Sequence, residues 1–291
     1  MKAEFPSAQA AHLVATLKLM RRRYRKRLAR CRENFSEMSV HDLRIETRRM
    51  LAMLDLLRAL HFEDSLKKTR KIFKRRLDAF DELRDTQVQL RLLQPLWRDF
   101  PEARGLDPLL RRRERRLIGE LRQEIKRMKQ LRLERRLKSL AKQLHQSASG
   151  GSPAGRKVLA SAALRAAFDQ VAGWHRLVGR GNTRTIHRLR VAFKRFRYLS
   201  ELLQPLFPRL TANRLREMQA YQTLMGDIQD IEVLIAAVKQ AVQLALLPAQ
   251  DVGGLLKELR RRRGGLIEKF LAAADNLFEF KPDQFVQKPA P

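Results

Sequence analysis

The sequence predicts an all-α fold made of two repeated halves, each suited to a four-helix bundle. Three observations carry this reading. Apolar residues recur at helical spacing through long stretches that contain no Asn-Gly or Asp-Gly hairpin turn. A ten-residue His/Arg motif occurs twice. Between its two copies lies a Ser/Gly-rich break, Ser147 to Gly155, after which the helical pattern restarts.

The elements follow in order. Leu13, Leu17, Met20, Tyr24, Leu28, Cys31 and Phe35 step by three or four, so a first helix is expected from Ser7 to Phe35. Ser39 and Asp42 have capping-box spacing and open a second helix that runs to Leu60. A third spans Asp64 to Leu93, ending before Pro95. Asp107-Pro108 reads as N-cap and first helical residue of a fourth, which reaches His145. Its inward face is Leu110, Leu117, Leu121, Met128, Leu131 and Leu144. Beyond the linker at 147–155, helices are expected at Arg156–Val178, Thr185–Leu203, Leu210–Leu246 and Asp251–Leu277, with a frayed tail from Lys281 to Pro291.

The two halves, 1–146 and 156–285, match at a fixed offset. His41 and His187 are 146 residues apart, as are Asp55 and Glu201; Asp85 and Asp230 are 145 apart. Three correspondences at nearly one offset are hard to obtain by chance in a Leu/Arg-rich chain. They make one domain, 1–285, of two repeats.

Composition bounds the partner. Lys and Arg number 62 against 31 acids, a net charge of +31. Such an excess destabilises a compact chain unless an anion offsets it. A polyanion is therefore expected: nucleic acid, an anionic membrane surface or an inorganic polymer. No apolar run approaches the ~18 residues of a membrane span, and of these polyanions a membrane is not the partner expected. Cys31 is the single cysteine, which excludes an intramolecular disulfide and favours a reducing compartment. No signal-peptide pattern opens the chain. A soluble, cytoplasmic protein is the expectation; its oligomeric state is not legible.

The chemistry concentrates in the duplicated motif. In Val40 to Arg49, His41 is followed by Arg44, Arg48 and Arg49; in Ile186 to Arg195, His187 is followed by Arg190, Lys194 and Arg195. The third and seventh positions after the His stack on one helical face and make a cationic strip roughly 10 Å long. The second strip continues to Arg197. Lys71, Lys74 and Arg75 add cations in the third helix, and Arg216 is the repeat counterpart of Lys71. Arg grips phosphate bidentately and Lys acts as a point charge. A bound phosphate chain would also favour charging of His41 and His187, so affinity is expected to rise as pH falls through the His range. Asp85 and Asp230 are expected to orient a basic side chain or cap a backbone group rather than to catalyse. No metal-ligand spacing and no Gly-rich phosphate loop is present, so neither a metal nor another cofactor is expected.

His41-x-x-Arg44-x-x-x-Arg48-Arg49, and His187-x-x-Arg190 followed by Lys194-Arg195-Phe196-Arg197-Tyr198, resemble the two signature helices of the CHAD family, the histidine α-helical domain. Leu83-Arg84-Asp85 and Gln222 through Asp230 resemble that family's later motifs. The resemblance covers nearly the whole chain. It implies two four-helix bundles related by a pseudo-two-fold, with a basic groove or pore that binds inorganic polyphosphate. Carried over position by position, the anion-binding residues are His41, Arg44, Arg48, Arg49, His187, Arg190, Lys194, Arg195 and Arg197, with Lys71, Lys74 and Arg216 beside them. One departure is Asp81, where the second half has Gly226; it is expected to bear on packing near Asp85 rather than on binding.

The function expected is thus non-enzymatic binding of inorganic polyphosphate, with targeting to polyphosphate granules. Non-specific nucleic-acid binding is the alternative. Only 7% of residues are aromatic, which leaves few platforms for stacking bases. A polyphosphate hydrolase or kinase would need carboxylates placed to hold Mg²⁺ beside the cations, and no acidic cluster has that spacing.

Overall fold

The computed structural model describes residues 8–60, 66–147, 153–179 and 181–285. Ten α-helices are found among them, with no strand. The expected helix starts at Ser7 and Asp64, linker residues 148–152 and tail residues 286–291 fall outside the described residues.

The first half begins with α1 (Ala8–Asn34) and α2 (Glu37–Ala59). Between them Phe35 takes a left-handed φ of 50°, a costly conformation for a bulky residue. Its surroundings fix it there. The ring is buried, and the Phe35 carbonyl accepts a hydrogen bond from Gln87 Nε2 at 2.8 Å. The N-cap of α2 is Ser36, not Ser39. Ser36 is extended, with ψ of 156°, and its hydroxyl accepts the Ser39 N–H at 3.3 Å.

The expected third helix is broken in two, α3 (Leu66–Ala79) and α4 (Asp81–Leu93). The break is at Phe80, with φ −94° and ψ 2°. The Leu77 carbonyl accepts from Phe80 N–H at 3.2 Å and from Arg44 Nη1 at 3.0 Å, in place of the Asp81 N–H a continuous helix would supply. In the second half the matching stretch runs unbroken through α9 (Ala212–Gln243).

The fourth helix is likewise split, into α5 (Leu106–Arg127) and α6 (Gln130–Ser147), at Met128 with ψ of 120°. Gly105, not Asp107, is its N-cap residue; Asp107 sits in the first turn and accepts from Arg111 Nε at 2.7 Å. The break resets the helical register. Leu131, expected inward, is 74% exposed; α6 buries Leu144, as expected, together with Leu133, Leu137 and Leu140.

The second half comprises α7 (Pro153–His175), α8 (Thr183–Leu203), α9 and α10 (Gly253–Ala272). Side chains of Asn182 and Thr211 cap α8 and α9 by accepting the N–H groups of Thr185 and Arg214. The 3-10 turns Ala274–Phe280 and Pro282–Gln284 close the described chain. Fraying does not begin at Lys281: Phe280, Pro282 and Phe285 are buried.

Helices α2 and α8 pack against each other, and α4 packs against α9. Residues of both halves therefore share each apolar cluster. The larger unites Leu17, Tyr24, Met50 and Phe73 with Phe193, Phe196, Tyr221 and Phe270. The smaller joins Leu93, Leu96 and Leu106 to Leu234, Val238 and Leu255. No helix among the described residues is long and apolar enough to cross a membrane.

Candidate functional site

The α2–α8 contact places the two motif helices together. The apolar side of α2 is fixed by Leu43, Met50, Leu54 and Leu57, all buried. On α8, Ile186, Leu189, Phe193 and Phe196 do the same. With these faces committed to the core, the third and seventh positions after each His point to one place. Arg44 and Arg48 come from α2, and Arg190 and Lys194 from α8.

The electrostatics show the convergence. Burial, then the charges of Arg190, Arg48 and Arg44, push the Lys194 ammonium well below its ordinary value. Burial, then the charge of Arg44, push Arg48 down to about 10, with Arg190 adding to it; it remains charged at neutral pH. Burial also lowers Arg190, which Asp230 and Asp85 partly offset. Arg48, Arg190 and Lys194 have no hydrogen bond or ion pair to any described residue, and Arg190 Nε is buried without a partner. Like charges brought together without an ion-pair partner, and only partly offset by nearby carboxylates, oppose folding. An anion with several negative oxygens would reverse that opposition.

Acids enter the same site from α4 and α9. Asp85 and Asp230 have carboxyls raised above the usual range, first by burial and also by neighbouring carboxylates in the case of Asp85. Asp230 lies 3.6 Å from Arg91, which fits the orienting role expected of it. Asp85 makes no hydrogen bond or ion pair with a described residue, so neither orienting nor capping applies to it.

The motif's two Arg residues at the third position are treated differently. Arg44 is buried and fully engaged: Nη1 donates to the Leu77 carbonyl, and Nη2 meets Asp81 Oδ1 at 2.5 Å. Arg190 faces Gly226, where a side chain would begin 3.8 Å from its Nε. Asp81, expected to matter for packing near Asp85, thus acts on a site cation.

The histidines sit at the mouths of the helices. His41 is half-buried; burial and then the Arg84 charge lower it below the ordinary imidazole value. His187 is exposed, with Nδ1 2.5 Å from Gln229 Oε1.

The remaining expected residues have other partners. Arg49 Nε meets Glu201 Oε2 at 3.2 Å, and Arg195 Nε lies 3.6 Å from Asp55 Oδ2. Arg197 is buried, bonded to Gln222 and Glu201 and stacked 4.5 Å over the Tyr198 ring. Lys74 pairs with Asp78, Arg75 with Glu124 at 3.7 Å, and Arg216 with Asn213 at 3.2 Å. These three and Lys71 are exposed, and among the described residues no hydrogen bond or ion pair joins them to the central four. Sequence reasoning misses Tyr198, buried beside Arg197, and Arg84, which bonds Glu37 at 2.7 Å and acts on His41 and Asp230. A signal for both exists, since each lies inside one of the motifs.

Three comparisons bear on this geometry. A family model described as "CHAD domain" matches residues 10–239. The fold is similar to the crystal structure of the CHAD domain from the plant Ricinus communis, with a TM-score of 0.63 and 16% identity over 98% of this chain and 94% of that one. No curated protein matches the chain.

Proposed function

The chain belongs to the CHAD domain family, and on that premise we propose that it binds inorganic polyphosphate without chemically altering it. The observation that carries this reading is the unmatched trio Arg48, Arg190 and Lys194, gathered from both halves at the α2–α8 contact. Each is half-buried. A ligand must therefore be slender enough to reach recessed cations and must carry closely spaced negative oxygens. A linear phosphate chain has both properties; a duplex, with its phosphates spread around a wide cylinder, has only the charge.

The proposed architecture is two four-helix bundles related by a pseudo-two-fold, with the trio in a basic groove between them. Reciprocal ion pairs support it. Arg49 and Arg195 are motif equivalents, and Asp55 and Glu201 are repeat equivalents; Arg49 bonds Glu201 while Arg195 approaches Asp55. Cytoplasmic residence and recruitment to polyphosphate granules follow from the same ligand.

Competition tests the proposal. Fluorescent polyphosphate bound to the protein is challenged with duplex DNA at equal phosphate concentration. Retention of polyphosphate is the expected result. Displacement by DNA would instead favour a general nucleic-acid binder.

A further inference from the structure

Repeat symmetry would give the two halves equal phosphate-binding arginines, Arg44 and Arg190. The structure makes them unequal. Arg44 is 5% exposed, and both of its terminal nitrogens are used, one by the Leu77 carbonyl and one by Asp81. At the matching place in the second half stands Gly226, which offers Arg190 no carboxylate and leaves its Nε buried and unpartnered. The break in the helix at Phe80 belongs to the same difference. It frees the Leu77 carbonyl for Arg44 and starts α4 at Asp81.

We infer that Asp81 is a built-in counter-anion that occupies the first half-site, so that the second, built on Arg190 with Lys194 and Arg48, is the primary phosphate subsite. This rests on the polyphosphate reading above and adds an order to it. A carboxylate on Arg44 stands in for a phosphate oxygen. A phosphate reaching Arg44 must displace that carboxylate or approach it against its charge. The first half-site is then engaged weakly, and binding weakens most when Arg190 is lost. Asp81 thereby sets how many phosphates the site grips, and so how strongly it distinguishes long chains from short ones.

The test measures polyphosphate affinity and its salt dependence for wild type, Asp81→Gly and Asp81→Asn, with Arg44→Ala and Arg190→Ala made in the wild-type and Asp81→Gly backgrounds. Thermal melting of each variant checks folding, and Asp81→Asn keeps the shape should Asp81→Gly fail to fold. Asp81→Gly is expected to bind roughly tenfold more tightly, the effect of freeing one charge-assisted contact. Its salt slope should steepen by about 0.7, one further phosphate of a single-stranded polyanion. Arg190→Ala should cost more than Arg44→Ala in wild type, and the two costs should converge once Asp81 is removed. Equal or weaker binding by folded Asp81→Gly or Asp81→Asn, or equal costs for the two Arg variants in wild type, would overturn this inference alone. Failure of wild type and Asp81→Gly alike to bind polyphosphate would overturn the binding reading as well.

Discussion

Arg49 on α2 and Glu201 on α8 are joined at 3.2 Å, although 152 residues separate them in the chain. Glu201 also takes the buried guanidinium of Arg197, while Arg49 keeps Glu46 at 3.6 Å as a second partner. One carboxylate thus holds two arginines and ties the halves together beside the unmatched trio. The motif cations therefore divide into those that build the frame and those left available to a ligand.

Glu201→Gln tests the frame. It leaves two guanidinium groups short of a negative partner at a position only 20% exposed. Roughly 1–3 kcal/mol of stability should be lost, less than for a fully buried pair. Urea unfolding reads the loss. Polyphosphate affinity should change little, because Glu201 pairs with Arg49 and Arg197 and has no hydrogen bond or ion pair to the trio.

The trio should behave oppositely. Lys194→Met or Arg48→Met removes a half-buried, unmatched cation from beside its like-charged neighbours. Stability is expected to rise by about 1 kcal/mol, while polyphosphate binding weakens. Melting curves and affinities measured on the same preparations would show the two moving in opposite directions.

Binding should strengthen as pH falls from 8 to 5. In the free protein His41 is lowered by burial and by Arg84, so it is neutral near pH 7. Phosphates nearby would raise it, and between the free and bound values a proton is taken up, which makes affinity increase toward low pH. Asp85 and Asp230 act with the same sign. Raised above the usual carboxylate range, they protonate earlier on acidification and withdraw negative charge from the site. Isothermal titration at several pH values checks this, and a flat profile would contradict it.

Phe193 is the packing anchor under the second motif. Its buried ring meets Phe196, Tyr221 and Phe280 at centroid distances of 6.0, 4.9 and 5.9 Å. Phe193→Ala should cost about 3–5 kcal/mol, visible in the denaturation midpoint, and should loosen the α8 face that aims Arg190 and Lys194.

Much of the fold is legible in the sequence. The periodic apolar stripes of α1, α2 and α8 bound those helices to within a few residues, because the same spacing that signals a helix also supplies its buried face. The breaks at Phe80 and Met128 are not legible, for neither has a Pro or Gly beside it. The first depends on Arg44, distant in sequence, taking the Leu77 carbonyl. Leu131 then misleads because a periodicity carries across a break only if the register does. In the site, Arg44, Arg48, Arg190 and Lys194 are marked by duplication. Their neighbours Arg49 and Arg195, one residue further on, point about 100° around the helix toward Glu201 and Asp55. The equal spacing of Asp55 and Glu201 in the two repeats is the available clue.

The central claim is that the cations of the α2–α8 contact form a polyphosphate site. The most direct measurement compares polyphosphate affinity, at fixed ionic strength, between wild type and a variant carrying Arg44, Arg48, Arg190 and Lys194 all changed to Ala. The variant should keep its helical spectrum and lose binding by several orders of magnitude. Undiminished binding by the folded variant would contradict the claim and move the site to the exposed cations elsewhere on the surface.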